Sequence, residues 1–184
     1  GKTLFKAAES IRGQDYLDWE CILVDNNSTD NSRAVALSMV KKDSRFSLVE
    51  EKTQGVMFAS NRGCEHARGT YIARMDADDV ARTGRLRVQS EFLDRHGDYG
   101  AVAGLVKHVG DPLTTGGFSR FVDWSNSVIS YDEILLRRFI EAPIVNPTAM
   151  WRRETMEQFG LYHSGDFPED YEMWLRWLDQ GVKI

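Results

Sequence analysis

Short apolar runs that alternate with helical patterns constrain the fold of this chain more than any other feature of its sequence. Residues 21–24 form a continuous apolar run, which is typical of a strand buried on both faces of a sheet. Similar strand patterns follow at 46–49, 71–75 and 101–106, and apolar residues at helical spacing lie between them. This alternation predicts an α/β domain of three layers, in which helices flank a mostly parallel sheet.

Two of the predicted strands end in carboxylates. Asp25 follows the first strand, and Asp76, Asp78 and Asp79 follow the third. The carboxyl ends of parallel strands meet at one edge of a sheet, and such sheets bind their ligands at that edge. We therefore expect Asp25 to lie close to the acidic turn, defined as residues 76–79.

The acidic turn predicts a site for a divalent cation. Three carboxylates within four positions repel one another unless a cation lies among them. Mg²⁺ and Mn²⁺ prefer oxygen ligands and commonly take one or two carboxylates together with substrate phosphates. The alternative is a solvated turn in which Asp78 or Asp79 caps the next helix, and the sequence leaves both interpretations open.

The second half of the chain is less regular. Glycines and prolines in residues 108–126 predict a long loop, and a helix is expected from about 132 to 139. Residues 148–151 are expected to form an edge strand, and residues 160–168 a further loop. Apolar residues at helical spacing after Glu169 predict a last helix.

Composition excludes some classes of protein. The net charge is −5 and the pI is about 5.4, so the chain lacks the basic face that nucleic-acid binding requires. Arg152 and Arg153 are interpreted as a solvated pair, and Cys21 and Cys64 have neither metal-ligand nor disulfide spacing. No apolar stretch approaches the roughly 18 residues of a membrane span, and no signal peptide opens the chain. We expect a cytoplasmic protein, with peripheral attachment to a membrane left open.

Five segments, taken in order, resemble the family-2 glycosyltransferases of the GT-A fold. They are residues 10–30, 55–61, 67–79, 147–153 and 169–176. Their most specific parts are Val24-Asp25-Asn26-Asn27-Ser28, Met75-Asp76-Ala77-Asp78-Asp79 and Glu169-Asp170-Tyr171. Each segment alone is a weak signal, whereas five in this order are a strong one and cover nearly the whole chain.

The resemblance implies a role for each residue that matches a motif of the family. Asp25 is expected to contact the nucleoside, with its neighbour Asn26 as the alternative for that contact. Asp76 is expected near the ribose and the metal, and Asp78 as the metal ligand that holds the diphosphate. Asp170 is expected to be the general base of an inverting transfer, which removes the proton of the acceptor hydroxyl.

The resemblance also implies the reaction and the domain organisation. Asn61 and Arg62 lie in a segment expected to line the nucleotide, and Arg62 could pair with a phosphate. The implied reaction moves a sugar from a nucleoside-diphosphate donor, a UDP-sugar above all, to a hydroxyl of a saccharide, lipid-linked or other acceptor. Mn²⁺ or Mg²⁺ is the implied cofactor, and polysaccharide biosynthesis the implied setting. A single domain is expected over 1–184, with a nucleotide-sugar half at 1–107 and an acceptor half at 108–184.

The chain departs from the family pattern in two places. The family begins with a strand that forms one wall of the nucleotide pocket, and nothing here matches it, so we expect that strand before Gly1 and a chain truncated at both ends. The Gln-X-X-Arg-Trp motif of processive synthases does not appear either. We therefore expect a non-processive enzyme that adds one sugar.

Several alternatives stay open on the sequence alone. Asp170 could be a first-turn acid that stabilises its helix through the macrodipole. Trp174 and Trp177 could be core residues or walls of an acceptor groove. The chain could also be a nucleotidyltransferase or nucleotide-sugar hydrolase on a similar sheet, or a binding domain without catalytic activity.

Overall fold

The computed structural model describes residues 1–110 and 112–184, and helices and strands alternate through most of them. The helices are α1 (Lys2–Arg12), α2 (Ser32–Lys42), α3 (Val56–His66), α4 (Arg85–Arg95), α5 (Pro112–Asn126), α6 (Tyr131–Arg137), α7 (Arg153–Phe159) and α8 (Glu169–Asp179). The strands are β1 (Cys21–Asp25), β2 (Phe46–Glu50), β3 (Tyr71–Ala73), β4 (Ala101–Val102) and β5 (Met150–Arg152), with a 3₁₀ turn at Asn146–Thr148. The predicted order of helices and strands in the first half is confirmed.

The described strands form two sheets. β1 and β2 pair in parallel and place Asp25 opposite Glu50 at their carboxyl ends. β5 lies between β3 and β4 and is antiparallel to both, so β3 and β4 run in the same direction. The predicted α/β class is therefore confirmed, and β5 contributes the antiparallel pairings.

β5 is a central strand, so the expectation of an edge strand at 148–151 is wrong. Its consecutive residues Met150 and Trp151 are both buried, and consecutive side chains of a strand point to opposite faces. Its central position follows from the backbone, which pairs with β3 on one side and with β4 on the other. Pro147 lies in the preceding 3₁₀ turn, where its missing N–H costs no hydrogen bond of the sheet.

The strand predicted at 101–106 is confined to β4. Beyond it, the backbone N–H of Gly104 donates to the Thr148 hydroxyl at 3.1 Å. The Asn126 side chain bonds both the N–H and the carbonyl of Val106, at 2.9 and 2.8 Å. Side chains therefore take the backbone hydrogen bonds that a longer strand would have given to the sheet.

Residues 108–126 were expected to form a loop, and that expectation is wrong because α5 begins at Pro112. Proline is tolerated in the first turn of a helix, where its missing N–H would have no partner anyway. Gly116 and Gly117 each cost a helix roughly 1 kcal/mol relative to alanine. Val122 is 5% exposed, and burial of such side chains outweighs that cost.

A cleft of about 1070 Å³ separates the two sheets. Residues of β1 line one side of the cleft and residues of β3 the other, and these two strands do not pair with each other. Side chains of α1, α3 and α4 complete the walls. The additional strand expected from the family resemblance stays a prediction.

The largest core cluster lies beside β5 and contains three tryptophans. Trp151, Trp174 and Trp177 are each 0% exposed, and their rings meet edge to face at centroid distances of 5.4 to 6.0 Å. Trp174 and Trp177 are thus core residues of α8 rather than walls of a groove. Among the helices of residues 1–110 and 112–184, none combines the length and apolar character that crossing a membrane needs.

Candidate active site

The acidic turn follows β3 directly. The backbone N–H of Asp79 donates to the carbonyl of Asp76 at 3.3 Å, which closes the turn. Asp78 is exposed and makes no hydrogen bond or ion pair with the residues that the structure describes. Partial burial, with the charges of Asp76 and Asp78 next in importance, raises the pKa of Asp79. The turn therefore concentrates three carboxylates in a small volume, and the Asp78 carboxylate is available to a ligand.

Two arginines offset part of this negative charge. The Arg74 guanidinium is 2.5 Å from an Asp76 carboxylate oxygen, and its side chain is only 15% exposed. Arg85 donates to the carbonyls of Arg74 and Ala149 at 2.7 and 3.3 Å. Burial lowers the pKa of Arg85 to about 10, an effect that the nearby Asp79 carboxylate opposes, so Arg85 stays charged at neutral pH.

The turn does not cap the next helix, so one of the interpretations that the sequence left open is wrong. α4 begins after Gly84, whose φ of 88° lies in the left-handed region, and no side chain caps this helix. Asp78 and Asp79 therefore lie too early in the chain to bond its first N–H groups. Their carboxylates are not used by the helix and remain at the surface.

The carboxylates of the turn fit a cation that takes few ligands from the protein. Within residues 1–110 and 112–184, no three His, Cys, Asp or Glu side chains are arranged to hold a metal ion. Asp76 and Asp78 could supply two oxygens, and Mg²⁺ or Mn²⁺ often takes one or two carboxylates and completes its shell with water and substrate phosphates. A dedicated protein cage for a metal is not present in the described part of the chain.

Asp25 lies at the carboxyl end of β1 and, like Asp76, lines the cleft between the sheets; that the two carboxylates lie close together stays a prediction. Its side chain is 9% exposed and accepts hydrogen bonds from the Ser28 N–H and the Arg33 guanidinium, both at 3.1 Å. The bond from Ser28, followed by the charge of Arg33, lowers the pKa of Asp25 against the effect of burial. Asp25 is therefore an ionised acceptor on the wall of the cleft.

The side chain of Asn26 is occupied by the loop that follows β2. Its amide NH₂ donates to the carbonyls of Glu51 and Thr53 at 2.9 and 2.7 Å, and its oxygen accepts from the Gly55 N–H at 2.8 Å. These three hydrogen bonds occupy the Asn26 amide and hold the loop in place. Of the two neighbours, Asp25 is the one that lines the cleft.

Asn61 and Arg62 have partners within the protein rather than in the cleft. The Asn61 amide donates to the Tyr162 carbonyl at 2.9 Å and accepts from the Tyr162 N–H at 3.3 Å, so it joins α3 to the loop before α8. Arg62 pairs with Glu65 on the surface of α3 at 3.1 Å. Neither residue lines the cleft between the sheets.

Asp170 lies in the first turn of α8 and is partly buried. Its carboxylate accepts from the Tyr171 N–H at 2.8 Å and has no ion-pair partner among the described residues. Burial raises the pKa of Tyr162, and the charges of Arg74 and Asp170 both act on that phenol. Tyr162 is thus within electrostatic range of Asp170 and of the arginine that pairs with Asp76. Asp170 itself does not line the cleft.

The comparisons with known proteins agree with this geometry. The model of the family described as Glycosyl transferase family 2 matches residues 1–160. The chain belongs to this family. It is 32% identical to the putative glycosyltransferase EpsE of Bacillus subtilis, over 99% of the chain and 64% of that relative. It is 30% identical to the putative teichuronic acid biosynthesis glycosyltransferase TuaG of the same organism, over 94% of the chain and 65% of TuaG.

Solved structures show the GT-A fold of this family-2 chain. The mannosyltransferase PcManGT from Pyrobaculum calidifontis, in complex with GDP-Man and Mn²⁺, superposes with a TM-score of 0.71 at 21% identity, over 99% of the chain and 50% of PcManGT. TarS from S. aureus in complex with UDP-GlcNAc superposes with a TM-score of 0.70 at 17% identity, over 95% of the chain and 49% of TarS. The chain thus spans about half the length of these two structures and under two thirds of its curated relatives EpsE and TuaG.

Arg152 and Arg153 are not the solvated pair that the family-2 sequence suggested. Arg152 donates to the carbonyls of Leu93 and His96 at the end of α4, the first at 2.5 Å and the second at 3.2 Å. Arg153 donates to the carbonyls of Ala67 and Gly69 just after α3, at 2.6 and 2.8 Å. Both arginines therefore satisfy carbonyls at helix ends, as cations near C-termini do.

Three residues of the site were not predicted from the sequence. Arg74 and Arg85 carried a visible signal, because each lies within six positions of a carboxylate of the acidic turn. Tyr162 carried none, since its importance depends on contacts with Asn61 and with the Asn146 side chain, which accepts from the Tyr162 hydroxyl at 3.0 Å. Contacts between residues so far apart in the chain exist only in the folded protein.

Proposed function

We propose that this family-2 chain is the catalytic core of a metal-dependent, inverting glycosyltransferase that moves one sugar from a UDP-sugar to an acceptor hydroxyl. The observation that carries the proposal is that Asp25, at the end of β1, and Asp76, just after β3, line one cleft, with Asp78 unpaired beside Asp76 in the described structure. A saccharide or lipid-linked hydroxyl is the proposed acceptor.

Asp25 and the acidic turn would supply different parts of donor binding. Asp25, ionised and nearly buried, would accept hydrogen bonds from the nucleoside. Asp76 and Asp78 would hold Mn²⁺ or Mg²⁺, which when bound stabilises negative charge on the leaving diphosphate. PcManGT forms a complex with GDP-Man and Mn²⁺, and TarS forms one with UDP-GlcNAc, so nucleotide-sugar donors are the reagents to test first.

Asp170 is the proposed general base. Its carboxylate lacks a cationic partner among the described residues, so its oxygens are available to an acceptor hydroxyl. Asp170 would take the proton from that hydroxyl while the acceptor oxygen bonds to the anomeric carbon and the bond from that carbon to the diphosphate breaks. Attack opposite the leaving group inverts the configuration at the anomeric carbon.

The substitution Asp170→Asn tests this role. We expect transfer to fall by about 10²- to 10⁴-fold, because the amide cannot accept the proton, while affinity for UDP with Mn²⁺ stays near that of the wild type. Asp179→Asn is the matched control, since it makes the same change at the other end of α8. Chromatography of the labelled glycoside measures transfer, and titration calorimetry measures UDP binding.

Three results would contradict the proposal. Undiminished transfer by the Asp170→Asn variant would exclude Asp170 as the base. Release of pyrophosphate or free sugar, without a glycoside, would favour a nucleotidyltransferase or a hydrolase. Binding of UDP and Mn²⁺ without turnover of any donor and acceptor, in the longest natural chain, would favour a binding domain without catalytic activity.

A further inference from the structure

A second concave site, about 730 Å³ in volume and largely open to solvent, is bordered by α3, the loop before α8 and α8 itself. We propose that it binds a pyranose ring of the acceptor, an inference that rests on the proposed glycosyl transfer. This site is named the ring pocket. The residues of the ring pocket that carry the argument are Met57, Phe58, His163, Ser164, Phe167 and Glu172.

Exposed aromatic rings line the ring pocket from two different elements. Phe58 of α3 is 37% exposed, and Phe167 of the loop is 44% exposed. An exposed apolar surface rimmed by polar groups is typical of a binding site. One face of a pyranose carries mainly C–H groups and packs on an aromatic ring, whose electron-rich face attracts the slightly positive hydrogens. The ring pocket therefore offers the apolar half of a sugar site.

Polar side chains supply the other half. Glu172 accepts from Arg176 at 2.8 Å, and its carboxylate lies 3.4 Å from the His163 imidazole. Burial acts to raise the pKa of Glu172, yet the hydrogen bond and charge of Arg176 leave it lower than usual, so Glu172 is an ionised acceptor. The Ser164 hydroxyl and the His163 ring can donate to or accept from sugar hydroxyls.

The wall that carries these groups is fixed before any ligand arrives. Asn61 holds the Tyr162 backbone through two hydrogen bonds, as described above. From α8, Arg176 donates to the Leu161 carbonyl at 2.5 Å and the Trp177 indole to the Gly160 carbonyl at 2.9 Å. A site whose walls are already ordered loses less conformational entropy when a ligand binds.

The position of the ring pocket favours the acceptor over the donor. Asp25 and Asp76 line the other cavity, whereas Phe167 of the ring pocket lies in the loop that leads directly into the first turn of α8, where Asp170 lies. Tyr162, which also lines the ring pocket, is within electrostatic range of Asp170. A sugar bound in the ring pocket would thus be on the side of the proposed base. Gly165 supports the placement of Phe167, because a Cβ at position 165 would come within 2.0 Å of that ring.

The test uses saturation-transfer NMR with methyl glycosides of glucose, galactose, mannose, N-acetylglucosamine and N-acetylgalactosamine as probes. We expect at least one to receive saturation at its ring C–H protons. That signal should fall by about threefold or more in Phe58→Ala and Phe167→Ala, a loss that corresponds to one stacking contact. Gly165→Ala should weaken it as well, since the Phe167 ring must move.

Phe139→Ala is the matched control, because Phe139 is 68% exposed and lines neither cavity. Equal thermal midpoints would show that all variants are folded. If no probe gives a signal, or if the signal survives both phenylalanine substitutions, the ring pocket is not a sugar site. Calorimetry with UDP and with GDP in the presence of Mn²⁺, on the same samples, separates the two proposals: nucleotide binding without glycoside binding overturns the ring pocket alone, and loss of both overturns the proposed function.

Discussion

At the scale of single residues, Arg74 gives the acidic turn a counter-ion of its own. Its guanidinium pairs with Asp76 at 2.5 Å and donates to the Met75 carbonyl, while its Nε is buried without a hydrogen-bond partner in the described structure. A metal ion that binds to Asp76 therefore competes with Arg74. In the proposed reaction, the released guanidinium would pair with a phosphate of the donor.

Replacing Arg74 with glutamine should raise the affinity of the nucleotide-free protein for Mn²⁺ by about 30-fold. The reason is that one positive charge near 4 Å costs a divalent cation about 2 kcal/mol in a well-solvated site, twice the value for two unit charges. Affinity for UDP in the presence of Mn²⁺ should not rise, because a phosphate partner is lost. Titration calorimetry measures both quantities.

The matched control is Arg95→Gln, which removes an exposed ion pair with Glu91 on α4 and should change neither affinity. A lower Mn²⁺ affinity in Arg74→Gln would contradict the role of Arg74 as a competitor of the metal ion.

The sequence located the carboxylates of the site better than its amides. Asp25 and Asp76 line one cleft because strand ends of one α/β domain converge, which the apolar runs predict without knowledge of contacts. An asparagine carries a donor and an acceptor and can satisfy any nearby backbone. Asn26 and Asn61 each donate to a backbone carbonyl of a distant loop. The spacing of residues in the sequence does not reveal which carbonyl an asparagine bonds.

At the scale of elements, a hydrogen bond from Trp177 links α8 to the loop that precedes it. Its indole N–H donates to the Gly160 carbonyl at 2.9 Å, whereas the Trp174 indole N–H is buried without a partner in the described structure. The two residues are equally buried on the same helix. They are therefore a matched pair in which one hydrogen bond is the main difference.

Trp177→Phe should destabilise the protein by about 1 kcal/mol or more beyond Trp174→Phe. Both substitutions remove the same volume, but only the first leaves a carbonyl without its donor, whereas the second removes an unsatisfied N–H. Urea unfolding followed by circular dichroism gives the two free energies. Equal losses would show that the Gly160 bond contributes nothing. Proteolysis within residues 160–168 should also accelerate in Trp177→Phe alone.

Helices and strands could be predicted where one hydrophobic periodicity dominated the sequence. They could not be predicted where tertiary packing determined the structure. α1 to α4 and β1 to β3 follow from apolar spacing. α5 was mistaken for a loop because Gly116 and Gly117 weaken the local helical signal, while the burial of Val122 that compensates for them is a tertiary effect. β5 was mistaken for an edge strand because a short strand gives no sign of having two neighbours.

At the scale of the whole molecule, many carboxylates are held ionised by arginine or backbone partners. Hydrogen bonds from Arg12 and Arg45 lower the pKa of Glu9 and of Asp43, each to about 2. The pKa values of Asp25 and Glu172 are also lowered, against the effect of burial. Only Asp79 among the aspartates and glutamates of the described chain has a clearly raised pKa, in the acidic turn.

These pKa shifts determine whether the free energy of unfolding rises or falls as the pH is lowered. A carboxylate whose pKa is lower in the folded than in the unfolded protein, where it is near 4, binds protons first when unfolded, so its stabilisation is present above pH 4 to 5 and is lost as the pH falls towards 2. Asp79 has a raised pKa, so its protonation favours the folded protein. This effect is opposite to that of the paired carboxylates, but it comes from one group, whereas theirs comes from several. The urea midpoint should therefore fall steadily between pH 5 and pH 3 and change little between pH 7 and pH 5.

Urea titrations at pH 7, 5, 4 and 3 measure this fall, and Asp43→Asn should make it smaller because one of the responsible groups is gone. Since the Arg45–Asp43 pair is only partly buried, 1 M NaCl should also reduce the difference between wild type and Asp43→Asn. A midpoint that stays constant or rises on acidification would mean that repulsion within the acidic turn outweighs the paired carboxylates elsewhere. In that case Asp79→Asn, which removes a carboxylate from the turn, should raise the midpoint at pH 7 by more than any other single neutralisation.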